Sequence, residues 1–122
     1  MPETTTTIGL LISPDLFFTS KVTGTAQALG LRVDAVDDIA SAAARLQTGE
    51  IKFVLLDLGA PRVSVPELFA VMPASARVPV IAFGSHVNVE QLESARDAGA
   101  EVMPRSQFSA TLPDILRRMD RN

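Results

Sequence analysis

The most constraining feature of this sequence is a set of three short apolar runs, each closed by residues that stop regular structure. They are Ile8–Ile12, Phe53–Leu58 and Pro79–Phe83, followed by Ser13-Pro14, Gly59 and Gly84-Ser85. Runs this short favour strands buried on both faces over helices. Two weaker runs, Leu31–Val36 and Glu101–Met103, bring the predicted strands to five.

Segments with helical spacing separate these runs. The predicted helices are Leu16–Leu29, a segment capped by Asp38 and ended by Gly49, Val65–Val71, a segment capped by Asn88 and ended by Gly99, and a last helix capped by Ser109 or Thr111. A strand followed by a helix, repeated five times, indicates an open α/β fold. Its parallel five-stranded sheet carries helices on both faces, a doubly wound arrangement.

Length and composition limit the class of protein further. The 122 residues predict a single domain over residues 8–122, preceded by a disordered or extended segment at residues 1–7. With no Cys and one His, the chain has no disulfide, no cysteine zinc site and no multi-histidine metal site of its own. A net charge of −3, six Phe and no Trp or Tyr argue against nucleic-acid binding. No apolar run reaches the roughly 18 residues of a membrane span, so we expect a cytoplasmic protein without membrane contact.

Chemistry in open α/β folds lies outside the carboxyl ends of the strands. The residues at those ends are Ser13, Pro14 and Asp15 after the first strand, Asp57 and Gly59 at the third, Gly84 and Ser85 after the fourth, and Pro104 and Arg105 after the fifth. We therefore predict that any functional pocket is lined by this set.

The residues around these ends resemble those of bacterial response regulator receiver domains, including the chemotaxis regulators. The resemblance rests on Phe-Val-Leu-Leu-Asp57-Leu, on Val-Pro-Val-Ile-Ala-Phe, and on Ala-Arg-Asp-Ala-Gly99-Ala100 leading to Val-Met-Pro104-Arg105-Ser-Gln-Phe108, and it spans residues 8–119. It implies a flavodoxin-like sheet of order 2-1-3-4-5. It also implies that Asp57 is the candidate phosphoacceptor and that the partner is a histidine kinase or another signalling protein.

The chain departs from the family at almost every other motif position. Ser13 and Pro14 stand where the family has the acidic pair that holds Mg²⁺, and Asp15 comes one residue late. Gly84 replaces a Thr or Ser, with Ser85 displaced by one position. Arg105 replaces a Lys and is followed by Ser106 instead of Pro, and Val102 stands at the aromatic position. We therefore expect poor Mg²⁺ binding, no cofactor and no metal site.

These departures predict an atypical receiver, or pseudo-receiver. It would not be an enzyme, and it would act in two-component signal transduction by protein interaction, without metal-dependent phosphorylation. Two alternatives stay open: a phosphoacceptor that uses Asp57, and a sensor of small anions in the pocket left between Ser13, Gly84 and Arg105. We also predict an ion pair between Asp57 and Arg105, with Gly84 leaving the gap between them open.

Three further expectations concern the surface and its border with the core. Phe17 and Phe18 are predicted to lie in the core or at its edge, and His86 in an exposed loop. The face formed by the fourth helix, fifth strand and fifth helix is predicted to contact a partner or a second copy. Its candidate residues are Glu90, Glu93, Arg96, Asp97, Arg117 and Arg121.

Overall fold

A computed structural model describes residues 8–60, 63–74 and 77–121, so the predicted N-terminal segment at residues 1–7 lies outside the described residues. Within those ranges the strands are β1 (Ile8–Ile12), β2 (Arg32–Val36), β3 (Ile51–Asp57), β4 (Val80–Gly84) and β5 (Glu101–Pro104). All neighbours pair in parallel, in the order β2-β1-β3-β4-β5. The predicted fold class and strand order are confirmed.

The helices are α1 (Leu16–Ala28), α2 (Ile39–Leu46), α3 (Val65–Val71), α4 (Val89–Asp97), α5 (Arg105–Ala110) and α6 (Leu112–Arg121). Side chains of Asp15, Asp38, Ser64 and Asn88 cap α1, α2, α3 and α4 by accepting from backbone N–H groups. Asp15 therefore caps α1 from just outside the helix, which begins at Leu16 as predicted. None of these helices is long and apolar enough to cross a membrane.

The last predicted helix is α6, which begins directly after Thr111, one of its two predicted caps, and the backbone N–H of Ile115 donates to the carbonyl oxygen of Thr111 at 3.0 Å. The Thr111 hydroxyl donates to the carbonyl oxygen of Gln107 at 2.8 Å, at the end of the short helix α5, which was not predicted. Pro113 keeps the two helices separate, because it has no N–H with which to extend α5 and is tolerated only in the first turn of a new helix.

The two faces of the sheet carry different cores. One core lies under α1, α5 and α6, and the second lies under α2, α3 and α4. The first, here called the aromatic core, includes Phe53, Phe83, Phe108, Leu11, Leu55 and Ile81. The second, called the aliphatic core, includes Leu10, Ile12, Val54, Leu56, Val80 and Ala82. Because strand side chains alternate between faces, odd positions of β1, of β4 and of β3 from Phe53 onward supply the aromatic core, and even positions supply the aliphatic core.

Two surface predictions were wrong. Phe17 is 92% exposed, because it lies about 200° around the helix from Thr19, which faces the core. Arg117 lines a surface groove with Leu29 and Leu31, on the α1 side of α6. Arg118, not Arg117, reaches β5, where it bonds both carboxylate oxygens of Glu101 at 2.9 and 2.7 Å.

Candidate functional site

Asp57 ends β3 and is almost wholly buried, with 2% of its surface exposed. Its Oδ2 accepts from the Ser13 hydroxyl at 2.7 Å. Its Oδ1 accepts from the backbone N–H of Gly59 at 2.9 Å and from Nη2 of Arg105 at 2.5 Å. Both carboxylate oxygens are therefore occupied by donors of this chain, as a buried charge requires.

Ser13 joins the end of β1 to this carboxylate. Its backbone N–H donates to the carbonyl oxygen of Val36 at 2.9 Å, and its hydroxyl accepts from the backbone N–H of Asp15 at 3.2 Å while donating to Asp57. Ser13 and Asp57 lie on the same side of the sheet because both continue the odd-numbered positions that face the aromatic core.

Arg105 begins α5, directly after β5, and brings the only cation that contacts Asp57 among the described residues. Its guanidinium carbon lies 5.0 Å from the ring centre of Phe18 and 5.3 Å from that of Phe83. Stacking on two rings restricts a side chain that is still 37% exposed. The ion pair predicted between Asp57 and Arg105 is present, and Phe18 lies at the core edge as predicted.

Gly59 makes room for that ion pair. A Cβ placed at Gly59 would lie 3.1 Å from Nη2 of Arg105 and 3.2 Å from Oδ1 of Asp57. Any larger side chain would therefore crowd the two charged groups. The sequence marked Gly59 only as a strand end, and its second role, close approach of a backbone to an ion pair, needed the position of Arg105 to be known.

Gly84 does not leave the predicted gap between Asp57 and Arg105. A Cβ at Gly84 would meet Leu58 at 3.1 Å and Leu92 at 3.6 Å, on the side of the aliphatic core. The reason is the alternation of β4, in which Phe83 faces the aromatic core and the next residue faces away. Pro14, Asp15, Ser85 and His86 are exposed. Of the residues predicted at the strand ends, Ser13, Gly59 and Arg105 bond to Asp57.

Gln91, on α4, ties the opposite side of the site to the sheet. Its Nε2 donates to the carbonyl oxygen of Leu58, the residue after Asp57, at 2.6 Å. The backbone N–H of Gln91 donates to the side chain of Asn88, the cap of α4, at 3.3 Å. Gln91 therefore contributes to the start of α4 through its backbone and to the site through its side chain.

The residues at this site do not fit a magnesium ion. Asp57 is its only carboxylate, and the described residues contain no group of three acidic or histidine side chains that could hold a metal. Mg²⁺ prefers six oxygen ligands in octahedral geometry, whereas Oδ1 of Asp57 is bonded to a guanidinium that would repel the ion. Arg105 supplies at this carboxylate the positive charge that a metal would otherwise bring.

No protein-family model matches the chain, and comparison with curated proteins finds no match. Solved structures do match. The receiver domain of a sensor histidine kinase from Pseudomonas aeruginosa PAO1, which holds a magnesium ion in its active site cleft, is 21% identical with a TM-score of 0.78, over 96% of this chain and 99% of that one. The chemotaxis response regulator CheY4 of Vibrio cholerae is 20% identical with a TM-score of 0.79, over 94% of this chain and 99% of that one.

A response regulator from Thermotoga maritima gives a similar result, with 14% identity and a TM-score of 0.78 over 96% of this chain and 99% of that one. At these identities the comparisons show the fold, and that fold is the one shared by response regulator receiver domains.

Proposed function

We propose that this chain, which has the fold of a response regulator receiver domain, is a degenerate receiver. It acts in signal transduction through protein contacts, without metal-dependent phosphorylation of Asp57, and it is not an enzyme. One observation carries the proposal: Ser13, Gly59 and Arg105 together occupy both oxygens of the buried Asp57 carboxylate.

The physical argument concerns charge. A phosphoryl group that approaches a carboxylate needs its negative charge neutralised, normally by a metal ion held close to both groups. Here the neighbouring cation is a guanidinium already bonded to Asp57 and stacked on Phe18 and Phe83. Attack by Asp57 would first require an oxygen to leave Ser13 or Arg105, which costs the free energy of breaking a buried charged network.

Intact-mass measurement after incubation with acetyl phosphate and Mg²⁺ tests the proposal. We expect no increase by the mass of a phosphoryl group. A triple variant, Ser13→Asp with Pro14→Asp and Arg105→Lys, restores the family's residues at three positions and serves as the matched control. Phosphorylation of the wild-type chain that disappears in Asp57→Asn would overturn the proposal and support the phosphoacceptor alternative.

The small-anion alternative has less support. It requires a free cation in the pocket, and the cation present, Arg105, already contacts Asp57 at 2.5 Å. An added anion would have to compete with a carboxylate that is held in place by two further hydrogen bonds. A phosphate titration followed by amide NMR, with no shift at residues 57–59 or 105, is the expected result.

The partner is proposed to be a signalling protein, such as a histidine kinase, or a second copy of the chain. Glu90, Glu93, Arg96 and Asp97 of α4 are exposed and available for such contacts, whereas the side chain of Arg121 lies outside the described residues. Charge reversal at Arg96 is expected to weaken any dimer seen by sedimentation. A sedimentation profile that stays monomeric at high concentration would remove the homodimer from this proposal.

A further inference from the structure

The edge of the sheet at β2 carries backbone groups that can pair with another strand. Among the described residues, β2 pairs with β1 only, so its outer side has no neighbouring strand. The backbone N–H of Ser13, just after β1, donates to the carbonyl oxygen of Val36 at 2.9 Å, so Val36 turns its backbone groups towards β1. Because successive strand residues turn their N–H and C=O groups to opposite sides, those of Val33 and Ala35 point outwards, where a further strand can bond them.

Two opposite charges lie on the same edge, two positions apart. Arg32 and Asp34 share the face of the sheet opposite the aromatic core, since Val33 between them is buried in that core. Arg32 bonds Asp34 of its own strand at 2.9 Å, but 57% of its side chain is exposed, so it is free to turn to an equivalent carboxylate. Arg45 of α2 contacts Asp34 at 2.6 Å, so this carboxylate keeps a cation when Arg32 turns away.

A second copy of the chain satisfies both the backbone groups and the charges in one antiparallel register. With a twofold axis at Val33, the two Val33 residues exchange N–H···O=C bonds, and each Ala35 N–H faces the Leu31 carbonyl oxygen of the other copy. Arg32 then lies opposite Asp34 of the second copy, in a non-hydrogen-bonded pair whose Cα atoms are about 4.5 Å apart. The symmetry forms this ion pair twice, so the edge is complementary to itself.

The charges select this register from those that the backbone allows. An axis at Arg32 or at Asp34 would also pair the outward backbone groups, but it would set two like charges directly opposite each other, which is destabilising. An axis at Ala35 would place Asp34 opposite Val36, and Arg32 opposite residue 38, which lies beyond β2. Of the axes through residues 32–35, the one at Val33 pairs each charge with its opposite.

The helix above this edge presents a short side chain towards it. Val22 of α1 faces the core, and Lys21, about 100° around the helix on one side, bonds Ser109 of α5. Thr23, about 100° around on the other side, therefore lies towards the β2 edge. Its hydroxyl donates to the Thr19 carbonyl oxygen of the same helix at 2.9 Å, so the side chain is held against α1 and leaves room for a second copy.

We propose that β2 is a self-association edge, at which two copies of this chain pair antiparallel about Val33 and join their five-stranded sheets into one. The paired strands have five residues each, so the contact is small and we expect weak, concentration-dependent association. The inference goes beyond the proposed function, since β2 is the edge opposite β5 and neither Asp57 nor α4 takes part. Charges on an edge strand can also serve to keep copies apart, and the experiment distinguishes the two roles.

Sedimentation of two charge-reversed variants, alone and mixed, tests the proposal. Both carry Arg96→Glu, which weakens contacts through α4. Arg32→Glu sets an acid opposite Asp34 of the second copy, and Asp34→Lys sets a cation opposite Arg32, so each variant alone should associate about tenfold more weakly than the Arg96→Glu parent. In an equimolar mixture every opposed pair regains opposite charges, and association should return to the level of the parent. Arg32→Ala should also weaken association of the parent.

A second pair of variants does not depend on charge. Ala35→Pro removes an N–H that points outwards and leaves the bonds to β1 in place, and edge strands tolerate such a proline. It should abolish association, whereas Ala35→Thr, the matched control, keeps the N–H and should associate like the parent. Hydrogen exchange measured by amide NMR gives the location, since the N–H groups of Val33 and Ala35 should exchange more slowly as the protein concentration rises.

Three results would overturn the proposal. They are a parent that stays monomeric at about 1 mM, a mixture that associates no better than its components, and Ala35→Pro associating as strongly as Ala35→Thr. Stronger association of Arg32→Ala than of the parent would also overturn it, because Arg32 would then keep the edges apart. None of these results bears on phosphorylation of Asp57, which tests the proposed function.

Discussion

The two faces of the sheet hold the Asp57 site by different means. On the face covered by α1, α5 and α6, the rings of Phe83 and Phe108 stack at 4.2 Å between centres, and Phe18 packs against both. The Arg105 guanidinium packs against the rings of Phe18 and Phe83, so the cation of the site contacts the aromatic core. On the opposite face the buried residues carry no aromatic ring, and among the described residues one side-chain hydrogen bond, from Gln91 to the carbonyl oxygen of Leu58, reaches the site.

This difference indicates which side determines the state of the carboxylate. The aromatic side contacts the Asp57 carboxylate itself, through the Arg105 guanidinium, whose movement is restricted by Phe18 and Phe83. The aliphatic side contacts only the backbone one residue later, through a neutral hydrogen bond, which contributes less than a charge-assisted one. Changes to the aromatic side should therefore alter both stability and the Asp57–Arg105 pair, and changes to the aliphatic side should alter stability alone.

The largest expected effect follows from Phe83→Ala. Phe83 is fully buried, and removing a buried ring costs about 3–5 kcal/mol of unfolding free energy. Urea unfolding measures the loss, and Leu56→Ala, fully buried in the aliphatic core, is the matched control. We expect Phe83→Ala to shift the NMR signals of the Arg105 guanidinium and Leu56→Ala to leave them in place. Equal shifts in both variants would contradict the comparison.

The ion pair itself gives the next largest effect. Arg105→Ala leaves a buried Asp57 without its cation, and because Arg105 is partly exposed we expect a loss of about 2–3 kcal/mol, below the value for a fully buried pair. The double variant Asp57→Asn with Arg105→Gln should recover part of this loss. A urea-unfolding cycle compares the single variants Asp57→Asn and Arg105→Gln with this double variant. If the losses of the two single variants add up to the loss of the double variant, the two side chains are not coupled and the ion pair does not stabilise the site.

Gly59→Ala tests the space beneath the pair. The added methyl group would lie 3.1 Å from Nη2 of Arg105, so either the guanidinium or the loop must move. We expect a loss of about 1–2 kcal/mol, in the range of overpacking. In an Arg105→Ala background the same substitution should cost much less, because the crowded group is gone. If Gly59→Ala costs the same unfolding free energy with and without Arg105, the loss comes from the backbone at position 59 and not from crowding of the ion pair.

Most of the fold could be predicted from the sequence because its signals are local. Apolar runs, capping residues and terminal glycines mark β1, β3, β4 and most helix ends. The site was predicted only in part. The ion pair follows from the need to neutralise a buried Asp57, but the direction in which Gly84 faces depends on the alternation of β4 relative to Phe83. The roles of Gly59 and Gln91 depend on contacts across 46 and 33 positions of the chain, between Gly59 and Arg105 and between Gln91 and Leu58.

Gln91→Ala should have a smaller effect than the changes at the aromatic side. It removes the hydrogen bond to the carbonyl oxygen of Leu58, which is worth about 1 kcal/mol. Gln91→Glu is the conservative control, since a carboxylate cannot donate to that oxygen and should cost at least as much. Both variants should leave the Arg105 guanidinium signals unchanged. A shift of those signals would show that α4 also determines the state of the pair.

The smallest expected loss of stability concerns a salt bridge at the border of the aliphatic face, between Asp34 of β2 and Arg45 of α2. Hydrogen bonds from Arg32 at 2.9 Å, and then from Arg45 at 2.6 Å, hold the pKa of the Asp34 carboxyl below its usual value of 3.8. A carboxyl whose pKa is lower in the folded state stabilises the fold above its unfolded pKa and loses that contribution as the pH falls through the folded value.

Wild type should therefore be more stable than Asp34→Asn at about pH 6, and the difference should shrink below about pH 4. Urea unfolding across this range measures it, and 1 M salt should reduce the difference at about pH 6, because exposed pairs are screened. A difference that is constant with pH would mean that the carboxylate charge of Asp34 contributes nothing to the stability of the fold.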